Sequence, residues 1–353
     1  MPDISIAMST YNGERFILEQ LESLANQSRL PKELVIGDDQ STDKTVAIIK
    51  SFANTAPFPV SITVNEQNLG FERNFLETAS RCSGEWIAFC DQDDVWLPNR
   101  ISEAAAEIAL GDKDLMLVIQ AAELVDANLN RTGRRLPNIR RRRIVPRNGH
   151  YGFWVAVGFA QTVRAELIFR YDWTNRPTNE HPGFGLQSHD KWSCMLANAL
   201  GSTAYLPNVA AWYRRHDSTV TGDFTHRSYA SRFTTAAATG SEDYKRLGDI
   251  ALESQQTITE LANGEVDKQL RSRLFEAANQ YAQMAKIQSN RSIIYQSNFA
   301  VERLSKLHEN IRRGAYFGNP FVSRGLKSLL KDTTFALTRT QMPRHLGNVS
   351  LRD

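Results

Sequence analysis

Short apolar runs alternate with amphipathic segments along the first third of the chain. The runs are typical of buried strands, and the segments, in which apolar residues recur every three or four positions, are typical of helices. Strands that alternate with helices usually pair in parallel, with helices on both faces of one sheet. We predict strands at residues 4–8, 34–37, 60–64, 85–90 and 115–119. The pattern therefore predicts an α/β domain with a doubly wound, mostly parallel sheet.

The pattern changes in the second part of the chain. An arginine-rich loop at 131–147 and a loop rich in Pro and Gly at 171–185 precede a helix that ends near residue 200 and a last strand at 210–216. Beyond about residue 226 the spacing of apolar residues is helical. We therefore expect two regions: an α/β domain over residues 1–225 and a mostly helical extension over residues 226–353.

The charge is unevenly distributed between these regions. The 353 residues carry a formal net charge of only +3, so nucleic acid is not implied as a partner. Residues 1–225 hold 23 Lys and Arg against 27 Asp and Glu, whereas residues 226–353 hold 19 against 12. This asymmetry favours an anionic surface as the partner of the C-terminal extension.

Cysteine usage and hydropathy bear on location. Cys82, Cys90 and Cys194 show no pairing pattern and no metal-ligand spacing, which fits a reducing, cytoplasmic setting. The first residues lack the pattern of a signal peptide, and no stretch approaches the roughly 20 apolar residues of a membrane span. We therefore expect a cytoplasmic protein that touches a membrane, if it meets one, without crossing it.

Three polar clusters directly follow predicted strands, at residues 10–13, 38–39 and 91–94. In doubly wound sheets ligands bind beyond the carboxyl ends of the strands, at the point where the strand order reverses. The topology alone is therefore expected to bring the three clusters to one crevice.

The third cluster holds three carboxylates, Asp91, Asp93 and Asp94, within four residues. Carboxylates this close raise one another's pKa unless positive charge lies among them. A divalent cation supplies that charge, because Mg²⁺ typically takes one or two protein carboxylates together with substrate phosphates. The alternative is an acidic turn in which Asp93 or Asp94 caps the next helix.

Phosphate-binding glycine motifs are absent from the sequence. No G-x-G-x-x-G follows the first strand and no G-x-x-x-x-G-K-[ST] occurs, which disfavours dinucleotide binding and P-loop hydrolysis. A carboxylate-rich crevice without such a loop suits a substrate that carries its own diphosphate, such as a nucleotide-sugar. A cation would then neutralise the charge that develops as the bond between sugar and phosphate breaks.

Six stretches carry a family resemblance: residues 9–13, 38–43, 68–71 with 74–75, 91–96, 189–190 and 213–216. In this order, over roughly residues 3–222, they resemble the GT-A glycosyltransferases of glycosyltransferase family 2. The sequence is most similar to the bacterial branch that builds O-antigen, capsule and related polysaccharides, including rhamnosyltransferases that use dTDP-L-rhamnose.

The resemblance implies a nucleotide site. Thr10, Tyr11 and Asn12 would line the base and ribose pocket, and Asp39 would accept a hydrogen bond from the pyrimidine N3–H. Asp91 would bind the ribose or the metal. The expected nucleotide-binding set is completed by Asp38, Asn68 and Arg214, with either Arg214 or Arg215 facing the diphosphate.

The resemblance also implies a metal site and a catalytic base. Asp93, with Asp91 and His216, would hold Mn²⁺ or Mg²⁺; a structural hydrogen bond is the alternative role for His216. Asp190 would be the general base that takes the proton of the acceptor hydroxyl, giving inversion by direct displacement. The expected acceptor contacts are His189, Trp192 and Trp96. Helix capping by residues 189–190 and a place in the core for both tryptophans are the alternatives.

Two basic features allow alternative interpretations. The arginines at 140–143 form either a solvated loop face or a contact with anionic lipid or a lipid-linked diphosphate acceptor. Near the C-terminus, five apolar residues fall roughly on one helical face, with basic residues elsewhere: Val322, Leu326, Leu329, Leu330 and Leu337. Such a helix either lies in a membrane interface or packs on the catalytic domain. The C-terminal helices are also the region through which a homo-oligomer would form.

Taken with the resemblance, the sequence predicts an inverting, metal-dependent glycosyltransferase with a GT-A fold and a helical C-terminal extension. It would move a sugar from a nucleoside-diphosphate donor, dTDP-L-rhamnose or a UDP-sugar, to a glycan or lipid-linked saccharide in bacterial surface polysaccharide synthesis. A sugar-1-phosphate nucleotidyltransferase is one alternative, but residues 9–13 lack the Lys or Arg that its N-terminal loop would need. A non-catalytic carbohydrate-binding scaffold is the other; it would be expected to have lost Asp93 or Asp190, and both are present.

Overall fold

The computed structural model describes residues 2–181, 183–217 and 239–339 of the chain. The chain divides into two compact units. The first consists of Met1–Arg147, Phe153–Arg176 and Gly185–Asp217, and the second of Asn148–Gly152, Pro177–Phe184 and Ser218–Asp353. The predicted boundary between residues 225 and 226 lies outside the described residues.

Within its described residues, the first unit contains one mixed sheet of ten strands. The strands are β1 (Ile4–Thr10), β2 (Glu33–Asp38), β3 (Val60–Val64), β4 (Trp86–Cys90), β5 (Val95–Trp96), β6 (Leu115–Val125), β7 (Arg131–Arg135), β8 (Arg143–Val145), β9 (Gln161–Arg164) and β10 (Ser202–Arg214). Their order is β3-β2-β1-β4-β9-β6-β10-β5, with β7 paired to β6 and β8 paired to β10.

The parallel part of the sheet positions the site. β1 pairs in parallel with β2 and with β4, and β2 with β3, whereas β9 runs antiparallel between β4 and β6. β4 and β6 are buried along their whole length, which explains their nearly unbroken apolar sequences. The strand order reverses between β1 and β4. The carboxyl ends of β1, β2 and β4 therefore meet at one edge, as predicted.

Helices cover this sheet. They are α1 (Ile17–Ala25), α2 (Thr45–Ala53), α3 (Phe71–Ala79), α4 (Arg100–Ala109), the short α5 (Glu166–Phe169) and α6 (His189–Leu200), with a 3-10 turn at Gly158–Ala160. α3 follows Gly70, whose φ of 78° lies in the left-handed region that favours glycine. α4 begins at Arg100, so neither Asp93 nor Asp94 caps it. This excludes the alternative in which the acidic cluster is only a helix cap.

The arginine-rich loop contains more structure than predicted, because β7 and β8 lie within it. Arg142 donates from Nε and Nη2 to the carboxylate of Glu107, at 2.8 Å each, and the Arg143 guanidinium lies 4.3 Å from the centroid of the Tyr205 ring. All four arginines of the 140–143 run are exposed. Arg142 and Arg143 nevertheless contact other residues of the first unit.

The second unit is helical over its described residues beyond 239. Its helices are α7 (Ser241–Gly264), α8 (Lys268–Gln296), α9 (Ala300–Arg312) and α10 (Gly325–Thr338). Buried Asp332 of α10 accepts hydrogen bonds from Arg291 Nε at 2.9 Å and from the hydroxyls of Tyr295 at 2.9 Å and Tyr316 at 2.7 Å. These polar contacts fasten α10 to α8. No helix among the described residues is long and apolar enough to span a membrane.

Candidate active site

A buried carboxylate joins the loop after β1 to the loop after β2. Thr10 Oγ1 donates to Asp38 Oδ2 at 2.8 Å, and the backbone N and Oγ of Ser41 donate to the same carboxylate at 2.9 and 2.6 Å. Asp38 has no exposed surface. It therefore shapes the wall of the crevice through these bonds and does not present its own oxygens to solvent.

Tyr11 and Asn12 form the tip of the first loop. Asn12 adopts a φ of 46°, and its Oδ1 accepts a hydrogen bond from Thr42 N at 2.9 Å. The side-chain amide of Gln92 pairs with the backbone of Tyr11, accepting from N and donating to O at 3.0 Å each. The Tyr11 side chain is 50% exposed. The crevice thus contains an exposed aromatic ring, and the loop that carries it is fixed by hydrogen bonds to Thr42 and Gln92.

Asp39 holds the turn that precedes α3. Its Oδ1 accepts hydrogen bonds from Asn65 Nδ2 at 2.9 Å and Leu69 N at 2.7 Å, and its Oδ2 accepts from Gly70 N at 2.8 Å. Asn68 Nδ2 donates to the main-chain O of Asp39 at 3.0 Å. Asp39 is only 3% exposed. Because a carboxylate oxygen has two lone-pair sites, Oδ2 has one site left for a further donor.

The acidic turn crowds its carboxyl groups. Although Asp91 keeps some solvent exposure, burial, with the negative charges of Asp93 and Asp190, raises its pKa to about 8. Burial, with the charges of Asp93 and Asp91, raises the pKa of Asp94 well above its ordinary value. Asp94 Oδ1 accepts a hydrogen bond from Arg214 N at 3.0 Å, whereas Oδ2 is buried without a hydrogen-bond partner. The turn therefore has the electrostatic character that the sequence predicted.

A buried cation that the sequence did not reveal lies beside this turn. The Arg100 guanidinium lies 4.0 Å from the centroid of the Trp96 ring, and its Nη2 donates to the carbonyl of Phe159. Burial lowers the pKa of Arg100 to about 10, and the charges of Asp94 and Asp91 oppose this effect. Arg100 therefore stays charged at neutral pH and supplies part of the positive charge that the carboxylates require.

Asp93 meets His216 at the end of β10, with Nε2 and Oδ2 2.7 Å apart. The His216 ring packs on Phe16, with 4.6 Å between the ring centroids. The buried Arg214 guanidinium lies over the same ring and donates to the Asp93 carbonyl at 2.7 Å and to the Glu19 carboxylate. Since Arg214 is used to support the acidic turn, its burial argues against the expected contact with a diphosphate.

The metal set predicted from the sequence is present in part. Among the described residues, no three His, Cys, Asp or Glu side chains are arranged to hold a metal ion. Asp93 and His216 nevertheless place one carboxylate and one imidazole together at the edge of the crevice. Such a pair fits a divalent cation that takes its remaining ligands from phosphate oxygens, as Mg²⁺ typically does.

Asp190 lies in the first turn of α6, and one of its oxygens is engaged there. Its Oδ1 accepts hydrogen bonds from Lys191 N at 2.9 Å and from the Ser188 hydroxyl. The charge of Asp190 also adds to the raised pKa values of Asp91 and Glu72, for which burial is the largest cause. The N-cap of α6 is Ser188, so the expectation that residues 189–190 cap this helix is wrong. The Asp190 carboxylate lies inside the first turn and within electrostatic range of the acidic turn.

The residues expected to contact an acceptor are buried. The His189 ring stacks on Phe75, with 4.0 Å between centroids, and meets the edge of Phe89 at 4.7 Å. Neither ring nitrogen of His189 has a hydrogen-bond partner. Trp192 is fully buried and Trp96 is 2% exposed. This burial argues against direct acceptor contacts and agrees with the alternative that placed both tryptophans in the core.

Sequence reasoning missed three residues that organise the site: Gln92, Arg100 and Glu19. Gln92 stands between carboxylates that suggested metal binding, and its amide pairs with a loop 81 positions away. Arg100 and Glu19 lie on helices, where a charged residue usually faces solvent. The position of Gln92 inside the acidic cluster was the only local signal.

Comparison with known proteins adds to this geometry. The dTDP-rhamnosyl transferase RfbG of Shigella flexneri is 35% identical over 101 residues, which cover 28% of this chain and 35% of RfbG. The abequosyltransferase RfbV of Salmonella typhimurium is 32% identical over 118 residues, which cover 31% of this chain and 35% of RfbV. The chain therefore spans about a third of the length of these curated relatives.

A solved structure extends the likeness to most of the chain. The structure of Staphylococcus aureus TarS 1–349 in complex with UDP has a TM-score of 0.52 and 17% sequence identity, and the match covers 90% of this chain and 93% of that one. At this level of identity the likeness concerns the fold. Residues 5–168 match the family model "Glycosyl transferase family 2". The fold is therefore that of the GT-A glycosyltransferases, and residues 5–168, less than half of the chain, resemble a glycosyltransferase family 2 domain.

Proposed function

We propose that this protein is an inverting, metal-dependent glycosyltransferase that builds bacterial surface polysaccharide. The donor is a nucleoside-diphosphate sugar, either dTDP-L-rhamnose or a UDP-sugar, and the acceptor is a glycan or a lipid-linked saccharide. One observation carries the proposal. Asp93 and His216, 123 positions apart in the chain, meet at 2.7 Å beside Asp91, at the strand ends where nucleotides bind in such sheets.

In this proposal the nucleotide lies along the edge formed by β1, β2 and β4. The exposed ring of Tyr11 stacks on the base, and Asn12 and Thr10 shape the pocket around it. Asp39 Oδ2, with its remaining lone pair, accepts the N3–H of a pyrimidine, and Asn68 stands at the same turn. Asp38 acts indirectly, by holding the loop. This arrangement supports a pyrimidine nucleotide as donor.

Asp93 and His216 would hold Mn²⁺ or Mg²⁺ together with the diphosphate, and Asp91 would bind the ribose or complete the metal shell. When bound, the cation stabilises the negative charge that develops on the leaving diphosphate. Arg214, which is bonded to Glu19, holds the acidic turn in place through the Asp93 carbonyl. The chain thus contributes a pair of ligands that is already assembled.

Asp190 is the proposed general base. Its Oδ1 is engaged at the start of α6, so Oδ2 is the oxygen that takes the proton. The acceptor oxygen forms a bond to the anomeric carbon of the sugar as the bond from that carbon to the diphosphate breaks. The proton of the acceptor hydroxyl passes to Asp190, and the nucleoside diphosphate leaves. Attack opposite the leaving group inverts the configuration at this carbon.

The relatives support the choice of donors, although they do not fix it for this chain. RfbG is named a dTDP-rhamnosyl transferase, and two TarS structures are complexes, one with UDP and one with UDP-GlcNAc. A thermal-shift screen of nucleotide-sugars would distinguish among these donors, because a ligand that binds the native state raises the melting temperature.

Isothermal titration of UDP, dTDP and GDP, with and without Mn²⁺, tests the donor site. We expect a pyrimidine diphosphate to bind at least about tenfold more tightly with Mn²⁺ than without it. The cation attracts the negatively charged phosphate oxygens and links them to its protein ligands. The Asp93→Asn variant should lose this difference, while the Asp249→Asn variant, changed at an exposed position on α7, should keep it. If no nucleotide binds to the folded protein, the proposed function is wrong.

The Asp190→Asn variant tests the base. We expect sugar transfer to fall by about 10²–10⁴-fold, with nucleotide affinity unchanged, because a general base contributes about this much to the rate. Asp249→Asn is again the matched control. Full transfer activity in Asp190→Asn would assign the base to another residue.

Location is part of the proposal. We place the enzyme in the cytoplasm, in contact with the anionic inner face of the cell membrane. A lipid-linked acceptor would be found there.

A further inference from the structure

Exposed apolar side chains are concentrated near the C-terminus of the second unit. Among the described residues, 20 large apolar side chains are exposed, and eight of them lie between residues 299 and 337. Scattered single residues of this kind are ordinary on a protein surface, but a contiguous set marks an interaction site. The region around α9 and α10 is therefore the candidate for such an interaction site.

These two helices pack against each other and against α8. Arg303 Nε of α9 donates to the carbonyl of Ala336 in α10 at 3.0 Å. Asn290 Nδ2 of α8 donates to Asn310 Oδ1 of α9 at 2.9 Å. With the ion pair between Arg291 and Asp332, these bonds define the inner faces of α9 and α10. Side chains on the opposite faces have no helix of the described second unit over them.

The outer faces carry apolar stripes at helical spacing. We call the stripes together the C-terminal apolar face, which consists of Val301, Leu304 and Ile311 on α9 and Leu326, Leu330 and Leu337 on α10. The three leucines of α10 are 51%, 49% and 60% exposed. Val322, which the sequence placed in the same stripe, precedes the helix and is buried. The stripe on α10 is therefore narrower than predicted, and α9 carries a stripe of its own.

The segment that carries this face has a positive formal charge. Residues 299–339 contain eight Lys and Arg against three Asp and Glu. Asp332 is buried in its ion pair, and Glu309 is paired with Lys306 and Arg313. Arg312 and Arg339 are exposed at the ends of the two helices. An apolar stripe with cations at its margins is complementary to a bilayer surface that contains anionic lipid.

We propose that the C-terminal apolar face inserts into the headgroup region of an anionic lipid bilayer. The leucines of α10 and the apolar residues of α9 enter the boundary between headgroups and acyl chains, while Arg312 and Arg339 contact lipid phosphates. If the proposed function is correct, this surface is the part of the chain that brings the transferase to a lipid-linked acceptor. Lipid binding itself does not depend on nucleotide binding, so the two proposals fail independently.

Vesicle co-sedimentation of the full chain tests the proposal. We expect binding to vesicles of phosphatidylcholine mixed with phosphatidylglycerol, and at least about tenfold weaker binding to phosphatidylcholine alone, because two cations near the surface contribute about fivefold each. Added salt should weaken the first interaction, since it screens surface charge. Equal binding to both kinds of vesicle, or binding to neither, would overturn the proposal.

Two sets of variants locate the surface. The triple variant Leu326→Ser, Leu330→Ser, Leu337→Ser should lower the partition coefficient by at least about 100-fold, because each leucine loses apolar contact with lipid. The control is Leu18→Ser, Leu110→Ser, Leu252→Ser, which changes three leucines of similar exposure elsewhere and should bind like the wild type. Circular dichroism and nucleotide titration verify that each variant is folded.

A charge variant keeps the test valid if the leucine variant fails to fold. Arg312→Glu with Arg339→Glu should lower binding to anionic vesicles by more than tenfold and leave the helix content unchanged. Light scattering after gel filtration distinguishes lipid binding from self-association through the same face. If the leucine variant changes the oligomeric mass and leaves vesicle binding unchanged, the face joins copies of this chain and the lipid proposal is wrong.

Discussion

Replacing His189 by glutamine is expected to flatten the pH dependence of the free energy of unfolding in mildly acidic solution. In the folded protein the ring is enclosed by Phe75 and Phe89 and is 5% exposed. Burial, opposed only in part by the charge of Asp190, lowers the pKa of His189 from 6.5 to about 4. Glutamine keeps a polar side chain of similar size and removes the titration.

The magnitude follows from the two pKa values. Between pH 6.5 and pH 4 the unfolded chain binds a proton at His189 that the folded chain does not, so the wild type loses stability as the pH falls. Each unit of difference corresponds to about 1.4 kcal/mol. The loss of unfolding free energy caused by His189 is therefore absent above about pH 7 and reaches roughly 3 kcal/mol near pH 4.

Urea unfolding at several pH values between these limits measures the effect. The difference in unfolding free energy between the wild type and His189→Gln should change by roughly 3 kcal/mol across the range, with constant m-values. An exposed histidine on α9 provides the control, because His308→Gln should retain the wild-type pH dependence. A difference between wild type and His189→Gln that is the same at every pH would refute the reasoning.

Three further substitutions test contacts described above. Glu19→Gln removes the charge that faces buried Arg214, and should raise the Mn²⁺ concentration for half-maximal activity about threefold to tenfold while kcat at saturating Mn²⁺ is kept; an unchanged Mn²⁺ requirement would contradict this. Gln92→Ala removes two hydrogen bonds to the Tyr11 backbone and should weaken nucleotide binding about tenfold in calorimetric titration, with the unfolding free energy changed by less than about 1 kcal/mol; full affinity would show that the pairing is dispensable. Asp332→Asn leaves a buried guanidinium without its counter-charge and should cost about 3 kcal/mol or more in urea unfolding; a loss below about 1 kcal/mol would contradict the assigned role.

Strands β1, β2 and β4 could be predicted because they are buried along nearly their whole length. β4 and the start of β6 read as apolar runs, and polar clusters follow β1, β2 and β4 directly. Local pattern is sufficient for such elements. The general rule that ligands bind at the carboxyl ends then predicted which clusters converge.

The antiparallel additions could not be predicted in the same way. β9 has only four residues, and the apolar run at 153–159 that precedes it forms no strand. β7 is exposed along its whole length, so it shows no apolar face to recognise. β7 is a strand because it pairs with β6, and this pairing leaves no periodic pattern of apolar residues in its own sequence.

The positions of the proposed site residues at strand and helix ends could be predicted, and the residues that support them could not. Asp91, Asp93 and Asp190 are polar residues at strand and helix ends, where function is expected. Arg100 and Arg214 are buried because of partners far away in the sequence, such as the carbonyl of Phe159 and the carboxylate of Glu19. Nothing within a few positions of either arginine indicates such a partner. Long-range contacts of this kind require the fold.

The position of β10 has a consequence for the order in which the protein becomes complete during synthesis. β10 is the last strand of the first unit along the chain, yet it lies inside the sheet, between β6 and β5. A nascent chain that has emerged only to residue 168 contains the whole family match but lacks the partner of β5, the proposed base and the imidazole beside Asp93. The matched segment is therefore shorter than the smallest piece that contains all parts of the proposed site. We expect a fragment cut at residue 168 to be inactive, and a nascent chain to gain activity only after residue 216 has left the ribosome.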